Sequence, residues 1–180
     1  MNRLKEFELC YLATPYSRHP ADIHDAFVAA ASLAAWLMQR GVKVFSPIAH
    51  AHPIAMYGDI DPLDHTIWLP FDESMLKKSD ALVVAMMESW EISKGIAHEI
   101  DHFIIAEKPI FYLEPCDLTI VSAVTSATIK RLAEINREIS ISGDWGAKLT
   151  ALNEERKGIL RNHPPLAHSK TYSEHAGTSE

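Results

Sequence analysis

Ala81-Leu-Val-Val-Ala-Met-Met87 and the following segment, Trp90-Glu-Ile-Ser-Lys-Gly-Ile-Ala-His-Glu-Ile-Asp-His102, decide the fold of this 180-residue chain. The first is an apolar run that predicts a buried strand. The second predicts a helix whose apolar residues recur at i, i+4, i+7 and i+8, the spacing of a core-facing stripe. A strand followed by a helix of this kind is the building unit of α/β folds. The stripe consists of Ile96, Ile100, Phe103 and Ile104.

Glu99 lies at the edge of this stripe, three residues after Ile96 and four before Phe103. Burying a carboxylate without a partner is costly, so its position needs a reason. A capping box does not supply one, because with Ser93 as N-cap the reciprocal Glu would stand where Ile96 is. Gly95, one turn earlier on the same face, has no side chain and would leave room for a ligand over the carboxylate.

Three interpretations of this segment stay open on its own residues. His98-Glu-Ile-Asp-His102 matches H-E-x-x-H, in which a helix holds zinc and the Glu acts as general base. Alternatively, Gly95 and Glu99 present a nucleophile at the top of a parallel sheet. The third interpretation is a surface helix with two solvated histidines and a paired Glu.

The rest of the chain alternates predicted strands with predicted helices. This alternation indicates an α/β, Rossmann-like parallel sheet of four to five strands flanked by helices. The segment from Ile48 to about Asp64 is predicted to be a long loop that acts as a lid or binding loop. A helix is predicted to start at Pro70, at its first position. The predicted strands are 7–13, 42–45, 80–87 and 108–113, and the other predicted helices are 23–38, 93–107, 121–140 and 145–160.

Three regions follow from this pattern. Residues 1–115 are predicted to form the Rossmann-like domain, and residues 116–161 a helical extension packed on it. Residues 162–180 are rich in His, Pro, Ser, Thr and Gly, which predicts a disordered tail.

Composition and charge restrict the partners. A net charge of −7 without a basic cluster argues against a nucleic-acid polymer. Two cysteines are too few for a disulfide framework, which favours a reducing cytoplasm. The N-terminus lacks a signal peptide's apolar core, and no apolar run approaches the ~18 residues of a membrane span. The sequence therefore predicts a cytoplasmic protein with a small-molecule ligand and no membrane partner.

The expected ligand site is the edge of the sheet where the parallel strands end. This edge brings together residues 14–18, 46–52 and 87–95. The start of the Pro70 helix lies there too, because helices that connect parallel strands run antiparallel to them. Asp72 would then be in the first turn of that helix.

The predicted pocket contains two carboxylates, two aromatic hydroxyls and a cation. These groups belong to Glu99 and Asp72, to Tyr11 and Tyr16, and to Arg18. Asp72 can instead be a first-turn carboxylate that favours the helix dipole, Tyr11 a core residue and Arg18 a solvated charge. Ser93 can both cap its helix and help to bind an anion. Trp90 can stack on a base or belong to the core. The residues predicted to bind substrate are Thr14, Tyr16, Ser17, Arg18, Ser46, Pro47, Trp90, Ser93 and Gly95.

Several of these segments resemble the nucleoside 2-deoxyribosyltransferase-like superfamily, which includes nucleotide N-glycosidases. The resemblance covers roughly residues 7 to 113, and the order and spacing of the segments carry it. They are Tyr11-Leu-Ala-Thr-Pro-Tyr-Ser-Arg18, Val44-Phe-Ser-Pro47, Asp72 eight residues before Asp80-Ala-Leu-Val-Val, and Ser93-Lys-Gly-Ile-Ala-His-Glu99 followed by Lys108-Pro109.

The resemblance implies cleavage or transfer at the N-glycosidic bond of a nucleoside or nucleoside 5′-monophosphate. Glu99 would attack the sugar C1′ and form a covalent intermediate, Asp72 would handle the proton on the base or orient the sugar, and Tyr11 would position the nucleophile. Ser93 stands where the transferases often have an acidic residue, and with Arg18 it favours a monophosphate. The first loop has Thr14-Pro15 where the family usually has a glycine. The family also implies a homo-oligomer. We expect no cofactor and no catalytic metal.

Two alternatives stay open beside this hypothesis. The same sheet edge could bind a nucleotide as a sensor without cleaving it. A zinc-dependent hydrolase would use His98-Glu99-Ile100-Asp101-His102 with a third ligand from His50, His52, Asp59, Asp61 or His65.

Overall fold

The computed structural model describes most of the chain up to residue 124 and isolated helical positions beyond it. Arg18 and the predicted tail, residues 162–180, lie outside the described residues. The described residues are 1–17, 19, 21–124, 127–128, 130–131, 134–135, 138, 151, 154–155 and 157–159.

Five strands form one sheet in the order β2-β1-β3-β4-β5. The first four are parallel to one another, and β5 pairs antiparallel with β4 at the edge. The sequence-based prediction of a Rossmann-like α/β fold with four to five strands is confirmed. The strands are β1 (Cys10–Ala13), β2 (Val44–Phe45), β3 (Ala81–Ala85), β4 (Ile110–Glu114) and β5 (Thr119–Val124).

Four α-helices belong to the continuously described part of the chain. At the start of each helix, the side chain of the preceding residue accepts a hydrogen bond from a backbone N–H of the first turn. These N-caps are Asp22, Ser46, Asp64 and Ser93. The helices are α1 (Ile23–Gln39), α2 (Pro47–Gly58), α3 (His65–Lys78) and α4 (Lys94–Ile105), with 3₁₀ turns at Asn2–Glu6 and Trp90–Ile92.

Alternate residues of the strands point to opposite faces of the sheet and form two core layers. On one face, Tyr11 and Val84 pack with the stripe of α4 and with Leu76 of α3. On the other face, Leu12 and Val83 pack with α1. The predicted stripe of α4 is confirmed, because Ile96, Ile100, Phe103 and Ile104 are all buried.

The prediction of a loop from Ile48 to Asp64 is wrong for most of its length, because α2 occupies Pro47–Gly58. Ser46 Oγ accepts a hydrogen bond from Ala49 N at 3.3 Å, so Ser46 acts as an N-cap, and Pro47 is suited to a first helical position because its φ is already helical. Pro53, which lacks a backbone N–H and is disfavoured inside a helix, conceals this helix in the sequence.

The predicted start of the third helix at Pro70 is also wrong. This helix, α3, begins at His65, and Asp64 caps it by accepting from Thr66 N at 2.9 Å. Asp72 therefore lies in the third turn, too far from the N-terminus for the first-turn dipole to explain it.

The predicted helix from 121 to 140 begins too early, because residues 119–124 form β5 and extend the sheet. The described positions between 127 and 159 are helical. Within the described residues, the helices are too short or too polar to cross a membrane.

Candidate active site

One cavity of about 250 Å³ opens where β1 and β2 end. The segment after β1, the start of α2, one face of α3 and the first turns of α4 enclose it. The position agrees with the general location of ligands in open parallel sheets.

Glu99 projects from α4 into this cavity beside the hydroxyl of Tyr11, which lies on β1. Although the Glu99 side chain borders the cavity, its Oε2 is buried and has no hydrogen-bond partner. The Tyr11 hydroxyl is also buried and, although near enough to affect Glu99, has no hydrogen bond of conventional geometry. Since buried polar atoms in native proteins are nearly always paired, these two atoms indicate a place for a ligand group.

Asp72 reaches the same cavity from α3. Its burial raises the pKa of the carboxyl to about 6. Burial raises the pKa of Glu99 further, to about 8; the Tyr11 hydroxyl opposes this rise and the charge of Asp72 adds to it. The two carboxyls therefore hold one proton between them near neutral pH. Pairs of titratable groups whose pKa values are separated in this way are typical of acid–base sites.

Burial and the two carboxyls together raise the pKa of Tyr11, with burial as the largest cause. Its hydroxyl therefore stays protonated throughout the working range of a protein and can only donate its hydrogen or accept one. A neutral donor next to Glu99 favours the ionised form of that carboxyl.

The helix stripes explain how the walls of the cavity are built. On α3 the lining residues are spaced at i, i+3, i+4, i+7 and i+11, which is one face of a helix. Asp72 belongs to that face although it is not in the first turn. The residues of this wall are His65, Trp68, Leu69, Asp72 and Leu76, and α2 contributes Pro47, Ile48, Ala51 and His52.

The first turn of α4 forms the remaining wall. Ser93 is the predicted N-cap, and its Oγ accepts from Ile96 N at 3.4 Å. A Cβ added to Gly95 would meet only Ser93 Oγ, at 3.9 Å, so the folded chain itself leaves space there. Because Gly95 lines the cavity, that space belongs to the ligand side of the helix.

Most of the residues predicted to form the site line this one cavity. Ser46 is buried as the cap of α2, next to the lining residue Pro47. Trp90 is not among the lining residues; it is buried in the core with its ring 6.0 Å from that of Tyr112. Arg18 is outside the described residues, so its predicted contact stays a prediction. The predicted residues that line the cavity are Tyr11, Thr14, Tyr16, Ser17, Pro47, Asp72, Ser93, Gly95 and Glu99.

The sequence-based prediction omitted part of the α2 and α3 walls. Ser46-Pro47, an N-cap followed by a proline at the first helical position, was a signal for α2 that could have been used. With that helix recognised, Ile48 and His52 would fall on one face at i and i+4.

No set of three His, Cys, Asp or Glu side chains in the described residues is arranged to hold a metal ion. His98 lines the cavity, whereas His102 does not, although His98 is among the charged groups near His102, together with Lys108 and Lys77. The structure therefore provides no third ligand, within the described part, for the zinc interpretation.

The family comparison matches the part of the chain that forms the parallel strands and the cavity. A family model described as a domain of unknown function, DUF1937, matches residues 8–115, more than half of the 180-residue chain. The chain belongs to the DUF1937 family. The DUF1937 region contains β1 to β4 and all the residues that line the cavity. A comparison with curated proteins finds no match.

Proposed function

We propose that this protein cleaves or transfers the N-glycosidic bond of a nucleoside or nucleoside 5′-monophosphate. The observation that carries the proposal is the pair of carboxyls, Glu99 with a buried Oε2 and the half-buried Asp72, that face one cavity beside the buried Tyr11 hydroxyl. The resemblance to the nucleoside 2-deoxyribosyltransferase-like superfamily supplies the substrate class, and the paired carboxyls fit double-displacement chemistry on a sugar.

In the proposed first step, a carboxylate oxygen of Glu99 bonds to C1′ as the bond from C1′ to the base nitrogen breaks. The electron pair of that bond goes to the base, which receives a proton from Asp72. In the second step, water attacks C1′, the ester to Glu99 breaks, and the proton of the water returns to Asp72. A second nucleobase in place of water would give transfer.

The reactive arrangement requires the shared proton on Asp72 and an ionised Glu99. In the free protein the order is reversed, because the pKa of Glu99 is about 8 and that of Asp72 about 6. Exchanging the proton between them costs about 3 kcal/mol, since one unit of pKa difference corresponds to about 1.4 kcal/mol. Positive charge that develops at C1′ stabilises the Glu99 carboxylate and offsets this cost at the transition state.

Tyr11 supports the same arrangement. Its hydroxyl lowers the pKa of Glu99 against the effect of burial. A hydroxyl donor beside the carboxylate therefore reduces the cost of ionising the nucleophile.

The start of α4 favours a monophosphate over an unphosphorylated nucleoside. Ser93 and Lys94 line the cavity at the N-terminus of a 12-residue helix, where backbone N–H groups favour an anion. The predicted contact of Arg18 would add a second cation. Arg18→Ala should then raise the KM for monophosphates more than for nucleosides, whereas an equal increase for both would remove the phosphate argument. Arg40→Ala is a matched control, because Arg40 stacks on Trp36 at the far end of α1.

The decisive experiment is incubation with purine and pyrimidine nucleosides, deoxynucleosides and their 5′-monophosphates, with mass detection of released base. We expect Glu99→Gln to abolish release and Asp72→Asn to lower the rate by about 10²-fold or more. Glu91→Gln is the matched control, because Glu91 is exposed and does not line the cavity. Tight binding without release of base, unchanged in Glu99→Gln, would instead identify a nucleotide sensor.

A further inference from the structure

His52 is a buried polar side chain for which the proposed chemistry has no use. It lies on α2 with an exposed fraction of 3% and lines the cavity wall. Its Nδ1 is 2.8 Å from Tyr16 Oη, and its Nε2 is 3.4 Å from His24 Nδ1. The ring of Phe27 stacks on the imidazole at a centroid distance of 4.6 Å. Both ring nitrogens are thus engaged, and the plane of the ring is fixed.

The His52 ring is neutral under ordinary conditions. Burial lowers its pKa below the usual value, and His24 lowers it further, while Asp22 acts in the opposite direction. A neutral imidazole has one N–H donor and one acceptor nitrogen, so each tautomer gives its two neighbours different roles.

These tautomers change what Tyr16 can do at the cavity. If Nδ1 carries the hydrogen, His52 donates to Tyr16 Oη, and the hydroxyl hydrogen of Tyr16 is free to donate to a ligand. If Nε2 carries it, His52 donates to His24 and accepts the Tyr16 hydrogen, which leaves Tyr16 as an acceptor for the ligand. His24 is exposed at the outer end of the hydrogen-bonded series Tyr16–His52–His24, and its Nδ1 can act as donor or acceptor toward His52.

We propose that His52 is a positioning residue that holds the Tyr16 hydroxyl at the cavity wall and lets it donate to, or accept from, a hydroxyl group of the ligand. A hydroxyl is the natural partner of such a group, because it too can donate and accept. The identity of that ligand as a nucleoside, with the sugar carrying the hydroxyl, rests on the proposed function. The support of Tyr16 by His52 does not depend on it.

A double-mutant cycle tests whether His52 acts through Tyr16. Binding of 2′-deoxyadenosine, 2′-deoxycytidine and the two free bases is measured by calorimetry in a Glu99→Gln background, so that nothing is consumed. We expect Tyr16→Phe and His52→Leu each to weaken nucleoside binding about three- to tenfold, with no effect on the bases. The double variant should bind no more weakly than Tyr16→Phe alone.

Two control variants separate positioning from general packing. His52→Gln, which keeps a donor and an acceptor, should restore most of the affinity that His52→Leu loses. His65→Leu changes another histidine of the cavity wall, outside this chain of hydrogen bonds, so its effect should add to that of Tyr16→Phe. Additive losses for His52→Leu and Tyr16→Phe would overturn the proposal.

A measurement on the ligand-free protein keeps this inference separate from the proposed function. Nitrogen-15 NMR should find His52 neutral at neutral pH, and Tyr16→Phe should shift its ring nitrogen resonances while His65→Leu does not. A cationic His52, or resonances indifferent to Tyr16→Phe, would overturn the positioning role. If no nucleoside binds to any variant while the NMR result holds, the proposed function fails and the support of Tyr16 stands.

Discussion

Replacing Glu99 by Gln should stabilise the ligand-free protein, and by more at high pH than at low pH. Burial raises the folded-state pKa of Glu99 from its ordinary value of 4.5 to about 8. An acid whose pKa is raised on folding imposes no penalty below its unfolded pKa. The penalty grows as the pH rises from that value and levels off above the folded pKa. Gln keeps the shape of the protonated acid and cannot ionise.

The size of the effect follows from these two pKa values. With about 1.4 kcal/mol per unit, the penalty is roughly 1 kcal/mol at about pH 5, 3 kcal/mol at about pH 7 and 5 kcal/mol at about pH 8.5. The stability difference between Glu99→Gln and the parent should therefore grow by about 4 kcal/mol across that range. For a chain of this size the change corresponds to roughly 10 °C in Tm.

The assay is chemical denaturation of the parent and the variant at the three pH values, with equal m-values required. Taking differences removes the titration of the shared groups that do not interact with Glu99. Glu91→Gln should follow the parent at every pH, because Glu91 is exposed. A difference between Glu99→Gln and the parent that does not change with pH would show a solvated carboxyl at position 99, and the argument for a buried acid–base pair would fail.

The remaining predictions concern activity and the shape of the cavity. The pH profile of kcat/KM should be bell-shaped with limbs near pH 6 and pH 8, because only the singly protonated pair of Asp72 and Glu99 is active. A value of kcat/KM that keeps rising above pH 9 would contradict this prediction. Tyr11→Phe should move the alkaline limb upward and lower kcat by about 10-fold or more, since it removes the group that lowers the pKa of Glu99; an unchanged pH profile would rule out this role. Gly95→Ala should preserve the free energy of unfolding or raise it by up to about 1 kcal/mol through helix propensity, yet raise KM; an unchanged KM would place the ligand away from α4.

The parts of the site that could be predicted are those that depend on the local spacing of apolar residues in the sequence. The stripe of α4 fixes which face is buried, and Glu99 follows from its offset to Ile96 and Phe103. Asp72 lies in a later turn than predicted but lines the cavity, because it belongs to the face of α3 that forms one of the cavity walls.

The parts that could not be predicted depend on tertiary contacts. α2 contains Pro53, and its large apolar residues Ile54, Met56 and Tyr57 are exposed. Its helical state is therefore stabilised by its cap at Ser46 and by packing, with Ala55 among its buried residues, more than by its own pattern. The strand β5 exists because it pairs with β4, and the run that begins at Val121 fits a helix equally well in isolation.

The buried polar atoms discriminate between a functional Glu99 and a residue of an ordinary surface helix. A surface helix would leave this carboxyl solvated or paired, whereas its Oε2 is buried without a hydrogen-bond partner. Within the described residues, five buried side-chain polar atoms lack partners, and three of them, on Tyr11, Thr14 and Glu99, belong to residues that line the one cavity. Each such atom costs about 1–3 kcal/mol when left unpaired, so a fold that concentrates them in one place gives up stability there. A ligand that supplies hydroxyl or amide groups at that position would recover the loss on binding, which supports the proposal of a polar ligand.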